Sequence, residues 1–318
     1  MPCLARRALL FALLNLCWAP AASAVSDNFS ANPLTSSAWS FGVGSNVNNQ
    51  FTWSPGALNV HLDSSLPTAR IDRPLGVTLS DSNSFQLSAR FSFHITSAPA
   101  DQAAQFSFGL TNHALTGGDR TGTLASFTSD NTFSTVEFDY FPNVSPSFGG
   151  PTLSPAVFGA SAGGDAFSNL ASIFGDASNL GSHSPPGITS LPQDTTLEAH
   201  LAYNGSSKIA TLTMFQVSGL GVLSQLNTGP LVLDLGSFGS GYDPTHPFSL
   251  DTLSIMSYHD GFTTSDAPSL VGDITYQNIS LTLVPEPSTV VLALLAGALF
   301  LPWRHYRRAR RAGHLIGR

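Results

Sequence analysis

Alternation of apolar and polar side chains is the feature that most limits how this chain can fold. From Phe85 to Ile95, every second residue is apolar and the residues between are polar. Successive side chains of a strand point to opposite faces, so this pattern places one apolar face on a core. The same alternation predicts further strands at 104–110, 197–203, 210–214, 253–255 and 279–283.

Turn residues between these segments indicate antiparallel pairing. Asn204-Gly205 stands between two alternating runs and predicts a hairpin. Many short strands joined by Gly, Pro, Ser and Asn predict an all-β antiparallel β-sandwich in one domain. The first segment after residue 24, at 27–30, and the last, at 278–283, are expected to pair side by side, as in a jelly roll.

Two stretches depart from the strand pattern. Apolar residues at helical spacing between Asp165 and Gly175 predict a short helix. Residues 142–192 are rich in Pro, Gly and Ser and are expected to form long loops over one face. Four aromatic residues near the start form two pairs, and the members of each pair stand two residues apart and would share one face of a strand. This spacing favours packing in the core, and stacking on a sugar is the alternative. The four residues are Trp39, Phe41, Phe51 and Trp53.

The N-terminus has the three parts of a secretory signal. Arg6 and Arg7 precede an apolar run, and Ala22-Ser23-Ala24 forms a small-x-small site. We therefore expect residues 1–24 to be a helical signal peptide that signal peptidase removes after Ala24. The alternative is a buried N-terminal helix.

The C-terminal segment has an equally ordered composition. Pro285-Glu286-Pro287 precedes a run without polar side chains, 290–301. The segment from Pro287 to Trp303 is 17 residues long. That length is at the short end for a transmembrane helix, and the arginines that follow would stay cytoplasmic. The basic cluster consists of Arg304, Arg307, Arg308, Arg310 and Arg311.

This order of parts resembles the PEP-CTERM sorting signal of bacterial exosortase substrates. The resemblance covers about the last 35 residues, 285–318. It implies an exosortase that cuts near Pro285, Glu286 and Pro287. The body, residues 25–284, would then pass from transient membrane anchoring to the cell surface or extracellular matrix. A plain single-pass anchor is the alternative.

Composition excludes several functions for the body. Both cysteines, Cys3 and Cys17, lie in the signal, so residues 25–284 have neither disulfides nor thiol chemistry. The chain has a net charge of −7, but residues 25–284 hold five of its 13 basic residues and all 20 acids except Glu286, which gives about −14. Such a surface repels phosphates, which excludes nucleic acid as a partner.

The segment 136–143 carries the chemistry that points to a ligand. Glu137 and Asp139 stand two residues apart in a strand and therefore share a face. Carboxylates, carbonyls and amide oxygens are the ligands that calcium prefers. Asp139, the carbonyl of Phe141 and the amide of Asn143 have a spacing suited to three of them. A solvated, purely structural Glu-x-Asp pair is the alternative.

Here the body resembles legume-type lectins, whose metal strand reads Val-Glu-Φ-Asp-x-aromatic-x-Asn. By this resemblance Glu137 and Asp139 would face a metal, Phe141 would offer its carbonyl and Asn143 its amide. The family's following acid and histidine fall near Phe148 and Leu153, so the match stops there and a transition-metal site is not expected. A concanavalin-like fold and calcium as cofactor are what the resemblance implies.

Laminarinase-type glucanases share such a sandwich and carry Glu-x-Asp-x-x-Glu. Pro142 stands where the second glutamate would be, and proline cannot transfer a proton. The resulting hypothesis is a non-catalytic, lectin-like protein that binds polysaccharide. The alternatives are a structural matrix protein without a dedicated ligand and, third, a sandwich-type glycoside hydrolase.

Overall fold

The computed structural model describes eleven stretches of the chain, and Ser23–Leu283 forms one compact unit. The described residues are 25–43, 49–66, 69–97, 104–112, 134–142, 152–158, 173–174, 191–226, 229–235, 247–259 and 269–284. The strands are β1 (Val25–Asp27), β2 (Ser40–Val43), β3 (Phe51–Ser54), β4 (Ala57–Asp63), β5 (Ala69–Ser80), β6 (Ser84–Ser97), β7 (Ala104–Thr111), β8 (Thr135–Phe141), β9 (Thr152–Phe158), β10 (Ile173–Phe174), β11 (Leu197–Asn204), β12 (Ile209–Val217), β13 (Leu223–Gln225), β14 (Leu231–Asp234), β15 (Ser249–His259) and β16 (Val271–Val284).

The described strands form two sheets, and every pairing given for them is antiparallel. The nine-stranded sheet has the order β13-β12-β11-β6-β16-β4-β3, with β1 beside β16 and β14 beside β12. The seven-stranded sheet has the order β10-β9-β8-β7-β15-β5-β2. The predicted all-β antiparallel sandwich is confirmed.

Aromatic rings from both sheets fill the space between them. Phe91 on the nine-stranded sheet contacts Phe106 and Phe138 on the seven-stranded sheet, with centroids 5.7 and 5.6 Å apart. Phe108 stacks on Phe138 at 4.7 Å. Burying one such side chain contributes about 1.5–3 kcal/mol, so this cluster is a large part of what holds a cysteine-free body together.

The expectation for the four early aromatic residues is confirmed. Trp39 and Phe51 are buried, and Phe41 and Trp53 pack against the core from its margin. Trp53 also donates from its indole Nε1 to the carbonyl of Phe29 at 2.8 Å.

The predicted hairpin is confirmed, but its turn differs from the expected one. Leu197 pairs with Gln216 and Asn204 with Ile209, which leaves a four-residue connection rather than two residues. The side chain of Asn204 accepts hydrogen bonds from the backbone N–H groups of Ser206 and Ser207, both at 3.0 Å. A Cβ at position 205 would come within 2.2 Å of a backbone oxygen, so this glycine allows a close approach of the neighbouring turn.

The first and last strands pair as expected. Val25 lies opposite Leu281 and Asp27 opposite Ile279. Asp27 also joins the two sheets, because its Oδ2 accepts from Arg73 Nη1 at 3.0 Å and from Trp39 Nε1 at 2.8 Å.

Part of the non-strand prediction is wrong. Within the expected helix between Asp165 and Gly175, Ile173–Phe174 is strand β10, paired with Val157 and Ala156. A two-turn apolar spacing is too short to outweigh pairing with a sheet edge. Likewise, the expected loop region 142–192 contains β9 as well as β10. Pairing with β10 stops at Ala156, next to Pro155, which has no N–H to donate.

The expected signal helix at 1–24 and the expected transmembrane helix after Pro287 lie outside the described residues. Within the described residues, no helix has the length and apolar character needed to span a membrane.

Candidate functional site

Glu137 and Asp139 lie on the outer face of the seven-stranded sheet. Their neighbours on β8, Phe138 and Tyr140, contact rings of the nine-stranded sheet and therefore face inward. Because side chains alternate along a strand, the two carboxylates point to the opposite face. Both are 0% exposed, so this outer face is buried at β8.

Small side chains stand beside the two carboxylates on the neighbouring strands. On β7, Ser107 lies opposite Asp139 and Gly109 opposite Glu137; on β9, Ala156 lies opposite Glu137. A Cβ at position 109 would come within 2.3 Å of the Cβ of Glu137. Any side chain there would push β7 and β8 apart, so the glycine lets Glu137 occupy this face.

The hydroxyl of Thr135 links Glu137 to the backbone of β7. Its Oγ1 donates to the carbonyl of Leu110 at 2.8 Å and lies 3.4 Å from Oε2 of Glu137. A hydroxyl has one proton, and the shorter contact has the better hydrogen-bond distance. Thr135 is therefore oriented mainly by the Leu110 carbonyl and is only a weak donor to Glu137.

A second buried polar group, the ion pair of Arg70 and Asp72, lies on the same sheet. Nε of Arg70 lies 2.9 Å from Oδ1 of Asp72, and both side chains are almost fully buried. Ser254 donates to the same carboxylate at 2.7 Å, and its Oγ is 2.9 Å from Oγ1 of Thr111. A Cβ at Gly42 would lie 1.8 Å from Oδ2 of Asp72, so glycine makes room for this pair. In such a hydrogen-bonded ion pair, the attraction between the two charges offsets much of the free energy that their desolvation costs.

The oxygen atoms at β8 suit a hard cation. Glu137 and Asp139 bring two carboxyl groups to one buried face, and their oxygens are of the kind that a hard cation binds. The backbone carbonyl of Phe141 lies at the end of the same strand. Calcium takes six to eight oxygen ligands, so carboxylate, carbonyl and hydroxyl groups fit it, whereas thiolates and imidazoles are what zinc prefers.

The structure places the predicted site residues unevenly. It brings Glu137 and Asp139 together on one face and puts the backbone of Phe141 two residues beyond them, while Asn143 lies outside the described residues. In the part of the chain that the structure describes, no three His, Cys, Asp or Glu side chains converge as a metal site. Among the described residues, further ligands would be backbone, hydroxyl or amide oxygens. The sorting motif, the basic cluster and the cleavage site at Ala24 lie outside the described residues.

The position that a glucanase would fill with its second glutamate holds Pro142, just after β8 ends at Phe141. The strand has finished there, and a prolyl side chain has no titratable group. The pattern of paired carboxylates on one strand is thus incomplete at this position.

Histidine–carboxylate pairs on the outer face of the nine-stranded sheet were not predicted. They are His61–Asp273 at 2.9 Å, His94–Asp194 at 2.9 Å and His200–Glu198 at 2.8 Å. His61 and Asp273 are 212 residues apart in sequence and are brought together by the pairing of β4 with β16, whereas Glu198 and His200 stand two residues apart on β11.

Glu198 has the most connected carboxylate on that face. It accepts from Arg90 Nη2 at 2.6 Å and from Arg90 Nε at 2.9 Å, in addition to its contact with His200. Burial raises the pKa of Glu198, but the hydrogen bonds and positive charges of His200 and Arg90 outweigh burial and hold it below its usual value. This cluster is a structural ion-pair network between β6 and β11.

No protein-family profile matches the sequence, and no curated protein matches it. Solved structures with a similar fold include lectin II from Ulex europaeus, with a TM-score of 0.45 and 11% identity over 84% of this chain and 100% of the lectin. The Lotus tetragonolobus seed lectin has a TM-score of 0.44 and 16% identity over 82% and 100%. A variant of the alginate lyase Aly36B, solved with an alginate trisaccharide, has a TM-score of 0.41 and 14% identity over 84% and 100%. At these values the similarity assigns neither ligand nor activity to this chain.

Proposed function

We propose that this protein is an exported, non-catalytic, lectin-like protein that binds polysaccharide with the help of calcium. The observation that carries the proposal is the burial of Glu137 and Asp139 on one outer sheet face. They stand in a strand whose sequence resembles the metal strand of legume-type lectins. The sequence pattern predicts that the two acids share a face, their burial is an observation that the sequence did not contain, and both favour a cation at β8.

Calcium would have a definite role at this place. Glu137, Asp139 and the carbonyl of Phe141 would hold it, and Asn143 would add an amide oxygen. When bound, the ion would neutralise the two carboxylates and fix the positions of the groups that coordinate it. The chain's own contribution is to fix both acids on a rigid strand beside residues too small to block them.

The proposed setting is the cell envelope or the extracellular matrix of a bacterium. Signal peptidase would remove residues 1–24, and an exosortase would act at Pro285, Glu286 and Pro287 after membrane anchoring. A body with a net charge of about −14 suits neutral sugars better than anionic ones, unless calcium bridges the two.

Calcium binding is tested by thermal unfolding of the purified protein with calcium and with a chelator. A ligand present at 100 times its Kd stabilises a protein by about 2.7 kcal/mol, which shifts the melting temperature of a domain this size by roughly 5–10 °C. We expect such a shift in the wild type and its loss in Asp139→Ala. Equal melting curves with and without calcium would contradict the calcium site.

Polysaccharide binding is tested on a glycan array with the same two proteins. Binding that disappears with chelator and in Asp139→Ala supports the proposal. An array without any binding favours a structural matrix protein, and release of sugar from a glucan panel would favour a hydrolase.

A further inference from the structure

Ser107 is a buried hydroxyl directly beside the candidate calcium site. It lies on β7 opposite Asp139, and cross-strand partners project to the same face of a sheet. Its exposure is 0%. No described residue forms a hydrogen bond with its Oγ, so Ser107 is not bonded to Asp139.

Leaving a hydroxyl buried without a partner is unfavourable. If a small residue were all that this position needed, glycine or alanine would serve. Gly109 and Ala156 do serve in this way on either side of Glu137. The hydroxyl at position 107 is therefore available to a partner that binds beside Asp139.

The strand geometry permits a partner shared with Asp139. Opposite Cβ atoms in an antiparallel pair are about 4.5–5.5 Å apart. Calcium–oxygen distances are about 2.3–2.6 Å, so two oxygens that share an ion can be separated by up to about 5 Å. An ion held by the carboxylate of Asp139 is within reach of the hydroxyl across the strand.

We propose that Ser107 supplies an oxygen ligand to the cation bound by Glu137 and Asp139. This inference rests on the proposed calcium site and adds a ligand from β7, the strand that precedes β8. The hydroxyl would coordinate the ion through Oγ and would keep its proton free to donate to another oxygen at the site.

The chain offers a matched control in Ser134. It is also 0% exposed, and its Oγ also has no described hydrogen-bond partner. It stands just before β8, however, and Asp139 lies near the other end of that strand. Ser107→Ala and Ser134→Ala thus remove the same kind of group, one opposite Asp139 and one at the far end of β8.

The experiment measures calcium affinity by titrating each purified variant with calcium and following its melting temperature, with terbium luminescence as a second signal. We expect Ser107→Ala to bind calcium about tenfold more weakly, the effect of losing one hydrogen-bond-strength contact to a charged group. Ser134→Ala should bind as the wild type does. Without calcium, both variants should melt at or above the wild-type temperature.

The outcomes separate the two proposals. Calcium binding by the wild type with equal affinity in Ser107→Ala overturns the role of Ser107 and leaves the site at Glu137 and Asp139 standing. Weakening of both serine variants alike also overturns it, because the effect would then be structural. No calcium binding by the wild type overturns both.

Discussion

Tyr276 and Tyr203 differ in a single hydrogen bond, which makes them a test of how polar groups are tolerated in this core. Tyr276 is 0% exposed, and among the described residues nothing accepts or donates a hydrogen bond at its hydroxyl. Tyr203 donates to the carbonyl of Asp81 at 2.8 Å. Burial raises the pKa of both phenols, so both hydroxyls stay neutral near neutral pH.

We therefore predict opposite effects of the same substitution. Tyr276→Phe should stabilise the protein by about 1 kcal/mol, because it removes an unsatisfied buried hydroxyl. Tyr203→Phe should destabilise it by about 1 kcal/mol, because it removes a satisfied one. Urea denaturation of the three proteins measures both changes, and a loss of stability in Tyr276→Phe would contradict the assignment.

At the same scale, the candidate site could be predicted only in part. Strand periodicity places Glu137 and Asp139 on one face whatever the partners are, and the structure agrees. Their burial and the neighbours Ser107 and Gly109 could not be predicted, because these depend on the register between β7 and β8. Register is a property of two segments and their connection, and 23 residues lie between these strands.

Among the elements, β6 and β11 are joined by charge as well as by backbone hydrogen bonds. Arg90 on β6 and His200 on β11 together hold the pKa of Glu198 below its usual value of about 4.5. A carboxylate with a lowered folded-state pKa stabilises the fold above its unfolded-state pKa. That contribution is lost as the pH falls through the folded-state value.

We predict that Glu198→Gln removes this pH dependence. The wild type should be more stable than the variant at pH 6, and the difference should shrink steadily between about pH 5 and pH 3. Chemical denaturation at several pH values measures it. Ser88→Ala on the same face, which removes only the neutral 2.8 Å contact with Ser280, is the control and should give a difference that does not vary with pH. A constant difference for Glu198→Gln would contradict the pKa assignment.

The elements also show why long strands were easier to predict than short ones. The alternation of apolar and polar residues over eleven positions in β6 identifies a strand, whereas the two residues of β10 are too few to show any alternation. β10 exists because the edge of β9 offers pairing at Ala156 and Val157. Tertiary context of this kind outweighs a local helical spacing.

At the scale of the whole sandwich, the strand register determines at which end β16 finishes and at which end the candidate site on β8 lies. Ser280 on β16 contacts Ser88 on β6, whereas Val271 lies by Thr96, so β16 ends beside the start of β6. At the other end of β6, Phe93 packs on Tyr140 of β8, with centroids 5.5 Å apart. The end of β8, with Phe141, is therefore at the end of the sandwich opposite to the exit of β16.

The same contacts place two exposed turns at opposite ends. Ser207 lies in the turn after β11, whose last residues pair with the start of β6, near the exit of β16. Gly219 follows β12 at the far end, where the N–H of Val217 donates to Thr196. At about 3.4 Å per residue, the eight steps of β6 from Ser88 to Thr96 alone span about 27 Å. The Phe141 end, with the candidate site, is thus the end of the sandwich away from the last residues of β16.

This geometry gives a prediction about display that needs no knowledge of the sugar. Residues 25–284 contain no cysteine, so Ser207→Cys and Gly219→Cys each introduce a single thiol into the body. If the C-terminal segment anchors the chain as proposed, a large maleimide polymer should label Gly219→Cys several-fold faster than Ser207→Cys in membranes that hold the full chain, because Ser207 lies at the end of the sandwich where β16 ends. After detergent extraction the two rates should become similar, since both turns are exposed in the body itself. Equal labelling in membranes would mean that the chain is not held at its C-terminal segment, and faster labelling of Ser207→Cys would mean that the candidate site faces the membrane.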